Sequence, residues 1–212
     1  LADENQRINK SNSTIGEIEK AHSLGREQLY TLKKNYRNTR QIAMLAGEFY
    51  TGLRTGLPDL PKKNGDKPKL IHTEQINDVV DRIESHVKLY ENEEIGILVN
   101  YRKTRNKLYN RLEGRLSRIG MRLQMYDWKD GAEGANNLVF DDGGCVTVLC
   151  YASAKGLEFD TVFLPELQTL KIAEGNELVS KMNLYVMASR AREKLFLMIS
   201  DPDQISPVWE IL

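Results

Sequence analysis

Charged side chains standing among apolar ones mark where this sequence could do chemistry. Three short strings have that character: Asn35-Tyr36-Arg37, Ser153-Ala154-Lys155-Gly156-Leu157-Glu158-Phe159 and Leu184-Tyr185-Val186-Met187-Ala188-Ser189-Arg190-Ala191. Each places an arginine, a lysine or a glutamate at the edge of a predicted strand or on a short helix. Such charges are costly unless something pairs with them, so they point to a site. Two arginines, a lysine and an aromatic ring suit a polyphosphate, because the guanidinium fork binds phosphate oxygens bidentately and keeps its proton. No Gly-x-x-x-x-Gly-Lys-Ser/Thr loop occurs to cradle phosphates unaided.

The elements that must hold these residues alternate. A polar stretch runs to about residue 28, reading as a strand end, a loop and a weak helix, and Gln28 to Leu32 is a short strand candidate. Thr39 to Leu53 has helical spacing through Ile42, Leu45, Ala46, Phe49 and Leu53, with Asn38 or Thr39 as N-cap and Gly56-Leu57-Pro58 as the stop. A Lys-, Gly- and Pro-rich loop leads to a brief strand over Lys69 to His72. A second helix follows from Thr73 or Glu74 to Leu89. Ile95 to Val99 is a continuous apolar run of the kind buried parallel strands show. Lys103 to Ile119 is a basic amphipathic helix and Arg122 to Tyr126 a strand. Asp127 to Gly144 carries turn signals. Val146 to Leu149 and Thr161 to Leu164 read as buried strands, Val179 to Ala191 as a helix and Lys194 to Ile199 as a closing strand. This alternation predicts an α/β fold, an open and mostly parallel sheet covered by helices on both faces.

Bulk composition narrows the function classes. The 212 residues suffice for one large or two small domains. Lysine plus arginine and aspartate plus glutamate are both 30, which argues against coating nucleic acid through gross charge and leaves room for a local basic stripe. Cys145 and Cys150 are too few for a disulfide framework, and His22, His72 and His86 have no metal-ligand spacing, so no metal site is expected. No segment has the length and apolarity of a membrane span, and no signal peptide opens the chain, so no membrane partner and a cytoplasmic setting are the default expectations. The chain begins Leu1-Ala2-Asp3, which suggests an excised fragment.

The strings, in this order, resemble the second RecA-like motor domain of superfamily-one helicases of the UvrD/Rep type, together with the last stretch of the first motor domain. Ala2-Asp3-Glu4-Asn5-Gln6-Arg7-Ile8 is similar to the family's Gly-Asp-x-x-Gln-x-Ile segment. Leu32 to Ile42 is similar to Leu-x-x-Asn-Tyr-Arg-Ser-x-x-x-Ile. Ser153 to Phe159 matches Ser-x-Lys-Gly-Leu-Glu-Phe, and Tyr185 to Ala191 is similar to Tyr-Val-Ala-x-Thr-Arg-Ala. The resemblance implies a P-loop NTPase-type fold lacking its own phosphate loop, with 1–28 the end of the first motor domain and a linker, and 29–212 the second. It further implies an ATP site shared with a missing N-terminal motor domain, which would hold most of the ATP and the Mg2+. In that site Gln6 senses the γ-phosphate, Tyr36 stacks on adenine, Arg37 reaches the γ-phosphate, Glu158 approaches ribose beside Lys155 and Gly156, and Arg190 is an arginine finger. The implied partner is single-stranded or partly duplex DNA, and the implied pathway DNA repair. Arg37 and Arg190 are expected to converge on one exposed rim.

Departures from the pattern lie on the strand-tracking side. The family's Thr-Leu-His ahead of Ser-x-Lys-Gly is replaced by Cys150-Tyr151-Ala152, and its arginine pair before Leu-Tyr-Val by Lys181-Met182-Asn183. The large regulatory insertion is replaced by a short loop between Tyr126 and Val146. These changes leave open an ATPase that senses or remodels nucleic acid without unwinding it, and a free-standing binding module. Plainer roles stand beside the sharper ones: a core aromatic for Tyr36, a surface ion pair for Arg37, a turn at Lys155-Gly156, a local pair of Glu158 with Lys155, and a solvated Arg190. In the basic helix Arg111, Arg115 and Arg118 share one face, opposite Leu108, Leu112, Leu116 and Ile119; that face is either simply solvated or a phosphate-backbone contact. Arg102, Lys103 and Arg105, at the end of the preceding strand, are the better candidates for nucleic acid, with Ser153, because ligands gather at strand carboxyl ends in such sheets.

Overall fold

A computed structural model describes residues 13–52, 56–127, 138–140, 144–170 and 177–200. Gln6 and most of the expected loop between Tyr126 and Val146 lie outside the described residues. Among the described residues six strands form one parallel sheet in the order β1-β6-β5-β2-β4-β3: β1 (Lys69–His72), β2 (Glu94–Val99), β3 (Leu123–Tyr126), β4 (Cys145–Cys150), β5 (Phe159–Leu164) and β6 (Ala191–Ile199). The α-helices among the described residues are α1 (Ile15–Ala21), α2 (Arg40–Glu48), α3 (Ile76–Leu89), α4 (Arg102–Ser117) and α5 (Glu177–Ala188).

Alternation along the strands builds two cores. Ile95, Ile97 and Val99 of β2 and Val146 and Val148 of β4 pack with Val79, Val80 and Ile83 of α3 and Leu108, Leu112 and Leu116 of α4. Leu98 and Leu149 face the other way, with Ile42 and Ala46 of α2 and Leu184 and Met187 of α5. Helices therefore cover both faces, and the central strands are apolar throughout because neither face meets water. A register shift between Phe159 and Thr161 breaks the alternation in β5. It puts Phe159 on the same face as Val162, beside the chemistry-bearing Glu158.

Three element expectations are corrected. Residues 28–32 are not a strand: a 3-10 turn covers Arg26–Gln28, and Tyr30 and Leu32 are exposed. The first long helix stops at Glu48 instead of running to Leu53. The Phe49 and Tyr50 amides turn back to Ala46 and Gly47 (3.1 and 3.0 Å), a tightened last turn that ends the helix. α5 ends at Ala188, so Ser189 and Arg190 form a turn and β6 begins at Ala191, ahead of the expected Lys194. The strand over Lys69–His72 matches its expected bounds.

α4 settles which face of the basic helix does what. Arg115 pairs with Asp81 and with Glu84 (2.9 Å), Arg111 bonds Asn77, and Arg118 Nε donates to the Gly114 carbonyl (2.9 Å). These arginines tie α4 to α3 or to itself, so they form a structural face. No described helix is long and apolar enough to cross a membrane.

Candidate nucleotide-facing site

The three strings, distant in sequence, meet at the amino ends of β5 and β6. Asn35 shapes the first of them: its Oδ1 accepts the Arg37 and Asn38 amides at 3.0 and 3.3 Å, which turns the chain into α2. Asn38 is 3 % exposed and is the stitch between strings. Its Nδ2 donates to the Ser189 and Ala191 carbonyls at 3.1 and 2.6 Å, and the Thr39 amide donates to the Arg192 carbonyl at 3.1 Å. The second string joins through the Phe159 amide, which donates to the Arg190 carbonyl at 3.0 Å.

Charge in the cluster is concentrated on one pair. Arg37 Nε donates to Glu158 Oε1, an ion pair about one-third exposed on both partners. Glu158 thus faces Arg37, not Lys155. Tyr36, next to Arg37 in sequence, is 81 % exposed, so it is no core aromatic. Lys155 and Gly156 are exposed on the approach to β5, and Gly156 sits at φ +89°, a conformation that only glycine adopts without strain.

Arg190 is placed otherwise than expected. It joins the cluster but is 1 % exposed, among the largest fully buried side chains. Its Nε donates to the Val186 carbonyl (3.0 Å), Nη1 to the Leu157 carbonyl (3.3 Å) and Nη2 to Ser189 Oγ (3.0 Å). The expectation of two guanidinium groups on one exposed rim is corrected: Arg37 is on the rim and Arg190 lies beneath it. Burial follows from α5 ending at Ala188, which turns position 190 inward under the 154–158 loop.

The carboxyl ends of the strands carry the second candidate set, and it divides. Arg102 is half-exposed with Nε 2.8 Å from Asp127 Oδ2, and Lys103 is exposed. Arg105 is 4 % exposed, its Nη1 3.1 Å from Asp127 Oδ2 and 3.3 Å from the Tyr126 carbonyl. Ser153 is 5 % exposed in the 3-10 turn Tyr151–Ser153. Arg105 and Ser153 are therefore corrected as contacts: the first neutralises a buried aspartate and the second is enclosed.

Two features escaped sequence reasoning. Asn38 read only as a helix cap, and nothing in the string shows that its amide reaches across to β6. His86 is a buried hub: its Nε2 lies 3.2 Å from both Glu93 Oε2 and Thr161 Oγ1. Glu93 also accepts from Lys194 and, at 2.6 Å, from Thr161. Burial alone would raise the Glu93 pKa, but the hydrogen bonds from His86, Lys194 and Thr161 outweigh it and hold the carboxyl at about 2. Burial pushes the Cys145 thiol up to about 12, which leaves it an inert core group. No group of His, Cys, Asp and Glu among the described residues could hold a metal ion.

No family model and no curated protein matches the sequence. Among solved structures, the C-terminal domain of a possible DNA helicase from Lactobacillus plantarum aligns with a TM-score of 0.56 and 22 % identity, over 82 % of this chain and 91 % of that one. An arterivirus helicase, nonstructural protein 10 with DNA, aligns at 0.42 and 13 % identity, over 66 % of this chain and 30 % of that one. Identity at this level establishes architecture alone, and the first alignment, which spans most of both chains, carries it. The chain has the RecA-like α/β fold of a helicase C-terminal domain.

Proposed function

We propose that the chain is the C-terminal motor half of an ATP-dependent DNA helicase or translocase of the UvrD/Rep type. Its ATP site is completed by an N-terminal motor domain of the same polypeptide, with residues 1–28 the end of that domain and a linker. The observation that carries this reading is the stitching of three sequence-distant strings into one cluster that leaves Tyr36 open to solvent and Arg37 partly exposed. Their chemistry suits a nucleotide: a ring for the base, a guanidinium for phosphate oxygens and a carboxylate for a ribose hydroxyl. Hydrolysis of a phosphoanhydride depends on positioning and on stabilising charge at the transferring phosphoryl, and Mg2+, when bound, would supply part of that charge neutralisation. The absent domain would hold the metal, since this chain has neither a phosphate loop nor a candidate metal cluster among its described residues.

Without nucleotide, Arg37 and Glu158 neutralise each other. A triphosphate competes with Glu158 for Arg37, and the released carboxylate becomes free to accept a hydroxyl. Arg190 acts as a positioning residue, holding the Leu157 carbonyl and with it Glu158. Gln6 would sense the γ-phosphate from the linker side. The test uses the parent protein: Arg37→Ala should lower DNA-stimulated ATP hydrolysis on the order of 10³-fold with affinity for a non-hydrolysable analogue largely kept. An unchanged rate rejects the assignment.

A second reading, an ATPase that remodels nucleic acid without unwinding it, is favoured by Ala152 in place of histidine and by the burial of Ser153 and Arg105. Strand displacement measured beside ATP hydrolysis separates the two: hydrolysis without displacement selects the second.

A further inference from the structure

A cleft of about 260 Å³ opens between the carboxyl half of α3 and the β1–β6 edge of the sheet. Lys67, Lys69 and Arg82 line it and are exposed, and none forms an ion pair with a described residue. Lys67 and Lys69 alternate into the strand, so both fall on one side of an extended backbone. Arg82 and His86 are one turn apart on the facing side of α3. A further cation, Lys194, is satisfied within the fold: it pairs with Glu93 and stands 4.0 Å above the Tyr90 ring. Asp66 is the carboxylate of the lining. The cleft therefore concentrates positive charge on a protein whose formal net charge is zero.

Apolar surface accompanies the charge. Leu89 is 77 % exposed and Tyr90 39 %, and the Phe196 ring lies 5.9 Å from Lys69 Nζ. Exposed cations without an ion-pair partner among the described residues are what the phosphates of a flexible nucleic-acid strand meet. A volume at the small end of ligand pockets takes one nucleotide unit of a flexible strand, not a duplex.

We propose that this cleft binds the phosphodiester backbone of a single nucleic-acid strand, without reading sequence. The cleft lies at the amino end of β1, beside Lys194 to Phe196 in the middle of β6, whereas Arg102 and Lys103 follow the carboxyl end of β2. In a parallel sheet these are opposite ends, so this would be a second strand contact, separate from the first. The inference rests on the nucleic-acid motor reading, and the two fail separately: hydrolysis by Arg37→Ala tests that reading, and the salt dependence below tests the cleft.

The experiment measures anisotropy of a labelled oligothymidylate with the 212-residue chain over a range of salt. Losing three phosphate contacts in Lys67→Gln/Lys69→Gln/Arg82→Gln should reduce the log–log salt slope by about 2 and weaken binding at low salt at least about tenfold. All three side chains are exposed, so the thermal unfolding of the variant should match the parent chain. An unchanged slope, or no binding by the unaltered chain, overturns the proposal. An equal loss of binding to polyglutamate also overturns it, identifying a surface for acidic protein segments.

Discussion

At the residue scale, burial and pairing decide which charges are available. The Arg37–Glu158 pair is partly solvated, and such pairs contribute about 0–1 kcal/mol. Arg37→Ala should therefore leave urea stability within about 1 kcal/mol of the parent chain while abolishing the rate effect; a large stability loss would make the pair a structural clamp. Asn38 is the opposite case. Asn38→Ala leaves the Ser189 and Ala191 carbonyls short of donors in a buried place and should destabilise by about 1–3 kcal/mol in urea unfolding. Glu93 gives a pH signature. Its carboxyl is held at about 2 against an ordinary 4.5, so its contribution is complete above about 4.5 and is lost as pH falls toward about 2. Glu93→Gln should flatten acid unfolding across that window, and an unaltered acid limb would show that the hub contributes nothing. The strings that carry Tyr36, Arg37 and Glu158 were legible in the sequence, but the pairing of Arg37 with Glu158 was not. The inward turn of Arg190 was not, because it depends on where α5 stops.

At the scale of elements, the turn into β5 is held from below. Gly96 of β2 lies under Phe159: a Cβ there would stand 2.5 Å from the buried Phe159 ring. Gly96→Ala must move that ring and the adjoining Glu158, so it should cost about 1–3 kcal/mol and also lower DNA-stimulated ATP hydrolysis in the parent. Stability loss with activity intact would uncouple the strand from the site. In α4 the apolar spacing announced the stripe that packs on the sheet. Which basic residues were free could not be read, since Arg111 and Arg115 are engaged by Asn77, Asp81 and Glu84 of another helix.

At the scale of the whole molecule, one sheet shared by two cores ties both sites to a common frame. Amide exchange should be slowest in β2, β4, β5 and β6, which have neighbours on both sides, and faster in the edge strands β1 and β3. Equal protection at the edges would refute that ordering. Periodicity and apolar runs by themselves determined the alternation of helices and strands, the parallel sheet covered on both faces, and the strings where charge collects. Those signals are local, because each element announces its own period and its buried face. Tertiary structure alone decided that the strings meet at the amino ends of β5 and β6, that Asn38 stitches them, and that Arg105, Ser153 and Arg190 are enclosed while Arg37 is open. A side chain's exposure depends on neighbours brought from elsewhere in the chain, and no spacing within a single segment encodes them.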